Sequence, residues 1–315
     1  MVCDTYVTLT DGTGGMYLLQ TVTAVYLRLL GHEISNGGFV LDVNETPDPE
    51  EFEDAYMRYA NARVCPPRPA EKTYRVRGTQ EPFYTLNVID GIMSVSAVQK
   101  VAKQYQASIT EYLNAVLLYS LLQKQEHDFH LRLRPVRIAM PVNLRRFFPS
   151  KTLRNFITMV YPSIDPRLGD YTFEEIVTQV HHYMRYYINS KFLRGDITTN
   201  ASTQRNPLIR IVPLFLKDFV VRQFYQRVQD KNSSAGLTNM GAIRVPDDMK
   251  PYLERFDIYM GIPYSQRTNC AIVSFEDTLT VNFASCIIEA DVERRFFQKL
   301  VEDGIPVTIE SNREL

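Results

Sequence analysis

Four short stretches of this 315-residue chain combine residue types that carry chemistry, and a few histidines stand apart from them. Asp11-Gly12 lies in YVTLTDGTGG, a glycine-bent turn just before the first helical pattern. Asn143 and Arg145 fall in PVNLRR, with Arg154 and Asn155 nearby in TLRNF. Thr238-Asn239-Met240-Gly241 lies in GLTNMGAI. A carboxylate at a buried turn is costly unless a cation or several N–H groups meet it. Arg145 is the expected partner of Asp11, in preference to Arg154. Asp11 also suits a helix cap, and the two roles are compatible.

The histidines offer less. His181-His182 sits inside a helical pattern, where adjacent residues point about 100° apart, so both rings cannot face one metal or one proton. His127 and His130, near Arg132, Arg134 and Arg137, read as a solvated helix end and strand. His32 follows Gly31 at the end of the first helix, where a cation is favoured. Cys3, Cys65, Cys270 and Cys286 form no CxxC pair, which argues against a zinc site and suits a reducing compartment. No metal is expected.

The elements that must position these residues follow from periodicity. Residues 2–9 read as a strand, and residues 16–30 as a helix, with Leu18, Leu19, Val22, Val25, Tyr26, Leu29 and Leu30 at helical spacing and a stop at Gly31. A linker over 44–72 carries one short helix at about 50–60. Strands are predicted at 74–78, 85–95, 134–143 and 156–164, the last buried on both faces. Helices are predicted at 96–105, at 110–125 behind the capping box Ser108–Glu111, from Thr172 to about 189, and at 211–229. Beyond them come short strands in GLTNMGAI, FDIYMGI, CAIVSFED and TLTVNFAS, a hairpin turn at Glu276-Asp277, a helix at 290–302 and a last strand in PVTIE. Mixed strands and long helices predict an α+β protein built of mixed α/β layers.

Bulk properties exclude some partners. A formal net charge of -1 gives no reason to expect nucleic acid. The longest nearly apolar stretch, 114–122, is too short to span a bilayer. MVCDTYVTL has neither a basic nor an apolar signal region, so a cytoplasmic protein is expected.

Taken in order, Asp11-Gly12, PVNLRR, TLRNF and LTNMG resemble the chloramphenicol acetyltransferase-like superfamily of CoA-dependent acyltransferases, which includes the condensation domains of peptide synthetases. Within it, the chain most resembles the bacterial alcohol acetyltransferase-like proteins, and the resemblance runs along essentially the whole chain. It implies two mixed α/β lobes with a channel between them, the first lobe incomplete here. Residues 1–72 would be a remnant of that lobe with a linker helix. Residues 73–315 would form the second lobe, with crossover strands toward the first.

The signature of such proteins is HxxxDG. Asp11 and Gly12 match its last two residues, and the histidine that serves as general base falls on Val7. The resemblance implies acyl transfer from a thioester, with acyl-CoA as co-substrate and no permanently bound cofactor, to an alcohol or amine. It gives Asn239 and Gly241, with Arg145 and Asn155, as residues toward the thioester, and Val7 implies impaired catalysis. The alternatives are a non-catalytic binding or partner subunit, whose first lobe another chain completes, and a truncated product of the same fold.

Overall fold

The computed structural model describes residues 1–6, 8–63, 71–82, 85–128, 132–205, 232–263 and 266–313. Helix α1 (Gly12–Leu29) opens the fold, followed by a 3-10 turn (Pro49–Phe52) and the short α2 (Ala55–Tyr59). Then come β1 (Asn87–Ser94), α3 (Val95–Gln104), α4 (Ile109–His127) and β2 (Val136–Asn143). A 3-10 turn (Leu144–Arg146) leads to β3 (Ile157–Val160), β4 (Ser163–Ile164), α5 (Phe173–Tyr187) and α6 (Ser190–Arg205). The chain closes with β5 (Ala235–Ala242), β6 (Thr268–Phe275), β7 (Thr278–Ser285), α7 (Asp291–Glu302) and β8 (Thr308–Ser311).

One mixed sheet organises these elements. Its order is β3-β2-β5-β6-β7-β1-β8, with β4 also paired to β2. β5 runs parallel to β2 and β6, and the other pairs are antiparallel. Alternation along the strands assigns their side chains to two cores. Cys270, Ile272, Leu279, Val281 and Phe283 join α3, α4 and α7 in the larger core. Val273 and Phe275 pack instead with Ala24 and Leu27 of α1 and with Ile243, Val245 and Phe256. The central strands are therefore buried on both faces.

Local signals predicted most helices well. Both capping boxes form, Ser108 with Glu111 and Thr172 with Glu175. The β6–β7 hairpin turns at Glu276 and Asp277, as the sequence indicates. Other expectations need correction. Residues 2–6 form no strand. The expected helix at 50–60 is split, because Asp48 caps the 3-10 turn and Asp54 caps α2. Residues 74–78 join no sheet strand.

FDIYMGI also stays out of the sheet. It is held over the sheet face by side chains: Thr280 donates to the Phe256 carbonyl, Asn282 accepts from the Ile258 N–H and Asn269 donates to the Gly261 carbonyl. The stretch 156–164 is not buried on both faces, since β3 is an edge strand with Met159 outside. Helix α6 was not anticipated; Asn189 starts it by accepting from the N–H groups of Lys191 and Phe192. The helix predicted at 211–229 lies outside the described residues.

Candidate functional site

Asp11 is the N-cap of α1, and its Oδ1 accepts from the N–H groups of Thr13 (3.0 Å) and Gly14 (3.2 Å). Its Oδ2 takes Nη1 of Arg145 at 2.6 Å and the N–H of Phe156 at 2.8 Å. A carboxylate here also faces the positive end of the helix. Four donors from three segments saturate it, and Asp11 is only 3% exposed. It clasps α1, the turn after β2 and the entry to β3 together.

Arg145 is equally committed. Its Nε and Nη2 donate to the Thr152 carbonyl at 3.0 and 2.8 Å, and Nη2 also reaches the Arg154 carbonyl at 2.7 Å. Asn143 completes the arrangement. Its Oδ1 accepts from the Arg145 N–H, while its Nδ2 donates to Thr13 Oγ1 at 2.9 Å. All three guanidinium nitrogens are directed at protein oxygens. Arg154, the other arginine considered for Asp11, contributes its backbone carbonyl to Arg145 rather than its side chain to Asp11.

The clasp closes because the turn lacks side chains at two positions. A Cβ on Gly14 would lie 2.0 Å from Thr10 Oγ1 and 2.4 Å from the Leu153 carbonyl oxygen. A Cβ on Gly12 would lie 2.6 Å from Met240 Sδ. That second approach brings the Asp-Gly turn against the Thr-Asn-Met-Gly stretch, more than two hundred residues away in sequence.

There β5 carries a bulge, its register with β6 shifting between Asn239 and Gly241. Gly241 has φ +75°, a left-handed conformation natural to glycine. Asn239 holds the bulge: its Oδ1 accepts from the Gly241 N–H and its Nδ2 donates to Thr110 Oγ1, both at 2.8 Å. Thr110 lies in the first turn of α4, so the bulge is fastened to that helix as well. An amide nitrogen has two hydrogens and a threonine hydroxyl has one. One Asn239 hydrogen and the Thr110 hydroxyl hydrogen therefore have no acceptor among the described residues.

Asn155 sits at the other side of the clasp, its Oδ1 3.4 Å from the Tyr56 hydroxyl. The same hydroxyl donates to the Ile157 carbonyl at 2.5 Å. Burial pushes the Tyr56 phenol up to about 12; the Ile157 N–H, which donates to the phenol oxygen, works the other way, and the nearby Asp11 charge adds to the rise. Tyr56 and Thr110 are the participants that sequence reasoning missed. No local pattern marks them, because each meets the site from a distant segment.

Val7 lies outside the described residues, as does His130. His181 lies beside Glu111, Nδ1 3.3 Å from Oε1, and accepts from Arg185 through Nε2. His182 meets it edge-on, consistent with two rings that serve no common centre. No group of three or more metal-ligating side chains occurs among the described residues. No helix among them is long and apolar enough to cross a membrane. A cavity of about 1030 Å³ runs along α5, lined by Thr178, His182, Tyr183 and Tyr186 among others, with none of the motif residues in its described walls.

No family model matches the chain, and no curated protein does. Solved structures do. The first condensation domain of the calcium-dependent antibiotic synthetase, in complex with a substrate analogue, is 15% identical, with a TM-score of 0.54 over 94% of this chain and 64% of that one. Polyketide synthase associated protein 5 from Mycobacterium tuberculosis is 13% identical, with a TM-score of 0.53 over 93% and 70%. The epimerization domain from the third module of tyrocidine synthetase B is 11% identical, with a TM-score of 0.50 over 95% and 67%. The chain spans about two thirds of the length of these proteins. Its saturated Asp-Gly clasp thus lies in a mixed α/β fold shared with the condensation domains of peptide synthetases.

Proposed function

We propose that this chain is a relative of the thioester-dependent acyltransferases, nearest to the alcohol acetyltransferase-like proteins, that binds an acyl thioester and an alcohol or amine. The observation that carries this reading is the contact between Gly12 and Met240, which sets the Asp11 clasp beside the Asn239 bulge. In this reading Asp11 and Arg145 are scaffold. The uncommitted hydrogens of Asn239 and Thr110 are the donors toward a thioester carbonyl, whose oxygen gains negative charge as the acceptor attacks. The acceptor oxygen or nitrogen forms a bond to the acyl carbon, the carbon–sulfur bond breaks, and the acceptor's proton passes to the leaving thiolate.

That proton needs a carrier. Asp11 has no free lone pair directed away from its four donors, and valine has no basic atom. Transfer by this chain is therefore slow, about 10²–10⁴-fold below that of a protein with a base in place. The test is calorimetric titration with acetyl-CoA, alongside a free-thiol assay on the parent chain and Val7→His. Binding with background turnover, raised by Val7→His, supports the reading. No binding of acetyl-CoA overturns it.

A second reading, a non-catalytic partner subunit, draws on α1. Its outer stripe carries Leu18, Val22, Tyr26 and Leu29, exposed by 45 to 81%. Its inner face holds polar Gln20, bonded to the Arg244 carbonyl, and Thr21, bonded to the Leu41 N–H. Contiguous apolar surface of this kind marks association sites. A protein that sediments as a monomer at all concentrations argues against this second reading.

A further inference from the structure

Arg137 on β2 belongs to a basic stretch of sequence, yet it is 7% exposed. Its Nη1 donates to two carbonyls, of Glu71 at 3.3 Å and of Asn232 at 3.1 Å, which use both of its hydrogens. Nε is buried with no acceptor, and neither Nε nor Nη2 has a hydrogen bond or ion pair among the described residues. Arg167 nearby has the opposite fate: it is exposed and clamped between Asp165 and the carboxylate of Glu71. Burial pulls the Arg137 guanidinium below its usual range, against the opposing pull of Tyr183, Glu71 and Tyr161. A second unanswered donor stands beside it. Ser163 of β4 pairs with Arg137, the Ile138 N–H donates to the Pro162 carbonyl, and the Tyr161 N–H donates to the Tyr183 hydroxyl oxygen at 2.9 Å. The hydroxyl hydrogen of Tyr183 has no acceptor among the described residues. Tyr183 also lines the α5 cavity, so solvent reaches it. A buried cation and unanswered donors gathered in one place call for an anion.

We propose that Arg137 and Tyr183 bind the carboxylate of a small organic anion, at the end of β2 opposite the Asp11 clasp. With Nη1 occupied, Nε and Nη2 remain as a side-on fork, whose two parallel hydrogens match the two oxygens of a carboxylate. The Tyr183 hydroxyl donates to one of those oxygens. The site offers one positive charge and has the Glu71 carboxylate close by, so a monoanion fits it better than a doubly charged phosphate. Arg137 and Asn143 lie at opposite ends of an extended strand, roughly 20 Å apart. The site is therefore separate from the clasp and does not rest on the thioester reading.

Thermal melts of the full chain test this, at neutral pH and fixed ionic strength, with sodium acetate replacing sodium chloride stepwise. A bound anion stabilises the folded state, so the parent's melting temperature is expected to rise with acetate. In Arg137→Met, which removes the charge and keeps a long side chain, that rise is lost. Tyr183→Phe removes one donor to the anion and needs about tenfold more acetate for the same rise. A parent that does not respond to acetate overturns the proposal, as does a rise of equal size in Arg137→Met. Where Arg137→Met fails to fold, Tyr183→Phe decides: an acetate dependence identical to the parent's overturns the site. Sodium phosphate in place of acetate tests the ligand class. A larger rise with phosphate than with acetate, lost in either variant, overturns the assignment to a carboxylate.

Discussion

Asp11 and Glu293 are both carboxyl groups withdrawn from water, and their surroundings differ. Asp11 meets a guanidinium and three backbone N–H groups. Glu293, on α7 and 2% exposed, has the Thr268 hydroxyl as its one side-chain donor among the described residues, at 2.7 Å. Burial raises the pKa of Glu293, against the effects of that hydrogen bond and of its own backbone N–H. Beside it, Cys270 is pushed up as well, by burial and then by Glu293. Burial by itself does not fix what a carboxyl does. The partner set decides whether it is a charged clasp or a group that favours keeping its proton.

The difference can be broken most severely at Asp11. Asp11→Ala leaves Arg145 buried with no anionic partner and removes a helix cap. Urea denaturation is expected to show a loss of about 3–5 kcal/mol. A loss under 1 kcal/mol would mean that the clasp holds nothing together. Gly14→Ala comes next, since its Cβ collides with the backbone at Leu153. The expected loss is about 1–3 kcal/mol, measured the same way.

At the second carboxyl the effects are smaller. Thr268→Val removes the side-chain donor to Glu293 and is expected to cost about 1–2 kcal/mol. Glu293→Gln sharpens the comparison through pH. With a folded pKa above the ordinary 4.5, the folded state keeps a proton that the unfolded state releases. Stability attributable to Glu293 is therefore fully present below pH 4.5 and declines as pH rises through the raised value. Glu293→Gln should remove that decline, so its stability relative to the parent improves from pH 4 to pH 8. Thermal melts across that range read it, and an unchanged slope would show that Glu293 titrates at its ordinary value.

The parts of the fold legible in the sequence were those that neighbours in sequence determine. Ser108 with Glu111 and Thr172 with Glu175 fixed two helix starts, because each box closes within one turn. The Asp11–Arg145 pairing was also legible, from the motifs that carry the family resemblance and from the cost of a buried carboxylate with no cation beside it. The spacing in α1 predicted a helix but did not reveal that Leu18, Val22, Tyr26 and Leu29 face outward. Gln20 and Thr21 face inward because a carbonyl at Arg244 and an N–H at Leu41 await them. FDIYMGI has strand composition, yet side chains of β6 and β7 hold it across the sheet.

The sequence by itself determined helix caps, the hairpin and the demand of Asp11 for a partner, all set by chemistry within a few residues or by the cost of an unpaired charge. The tertiary structure alone decided that Gly12 touches Met240 and that Asn239 bridges to Thr110. Those facts depend on the parallel β2-β5-β6 pairing, which sets Ile138 beside Ala235 and Gly236 beside Asn269. No local pattern encodes such contacts, because side chains from distant segments meet only after the sheet has brought their backbones together.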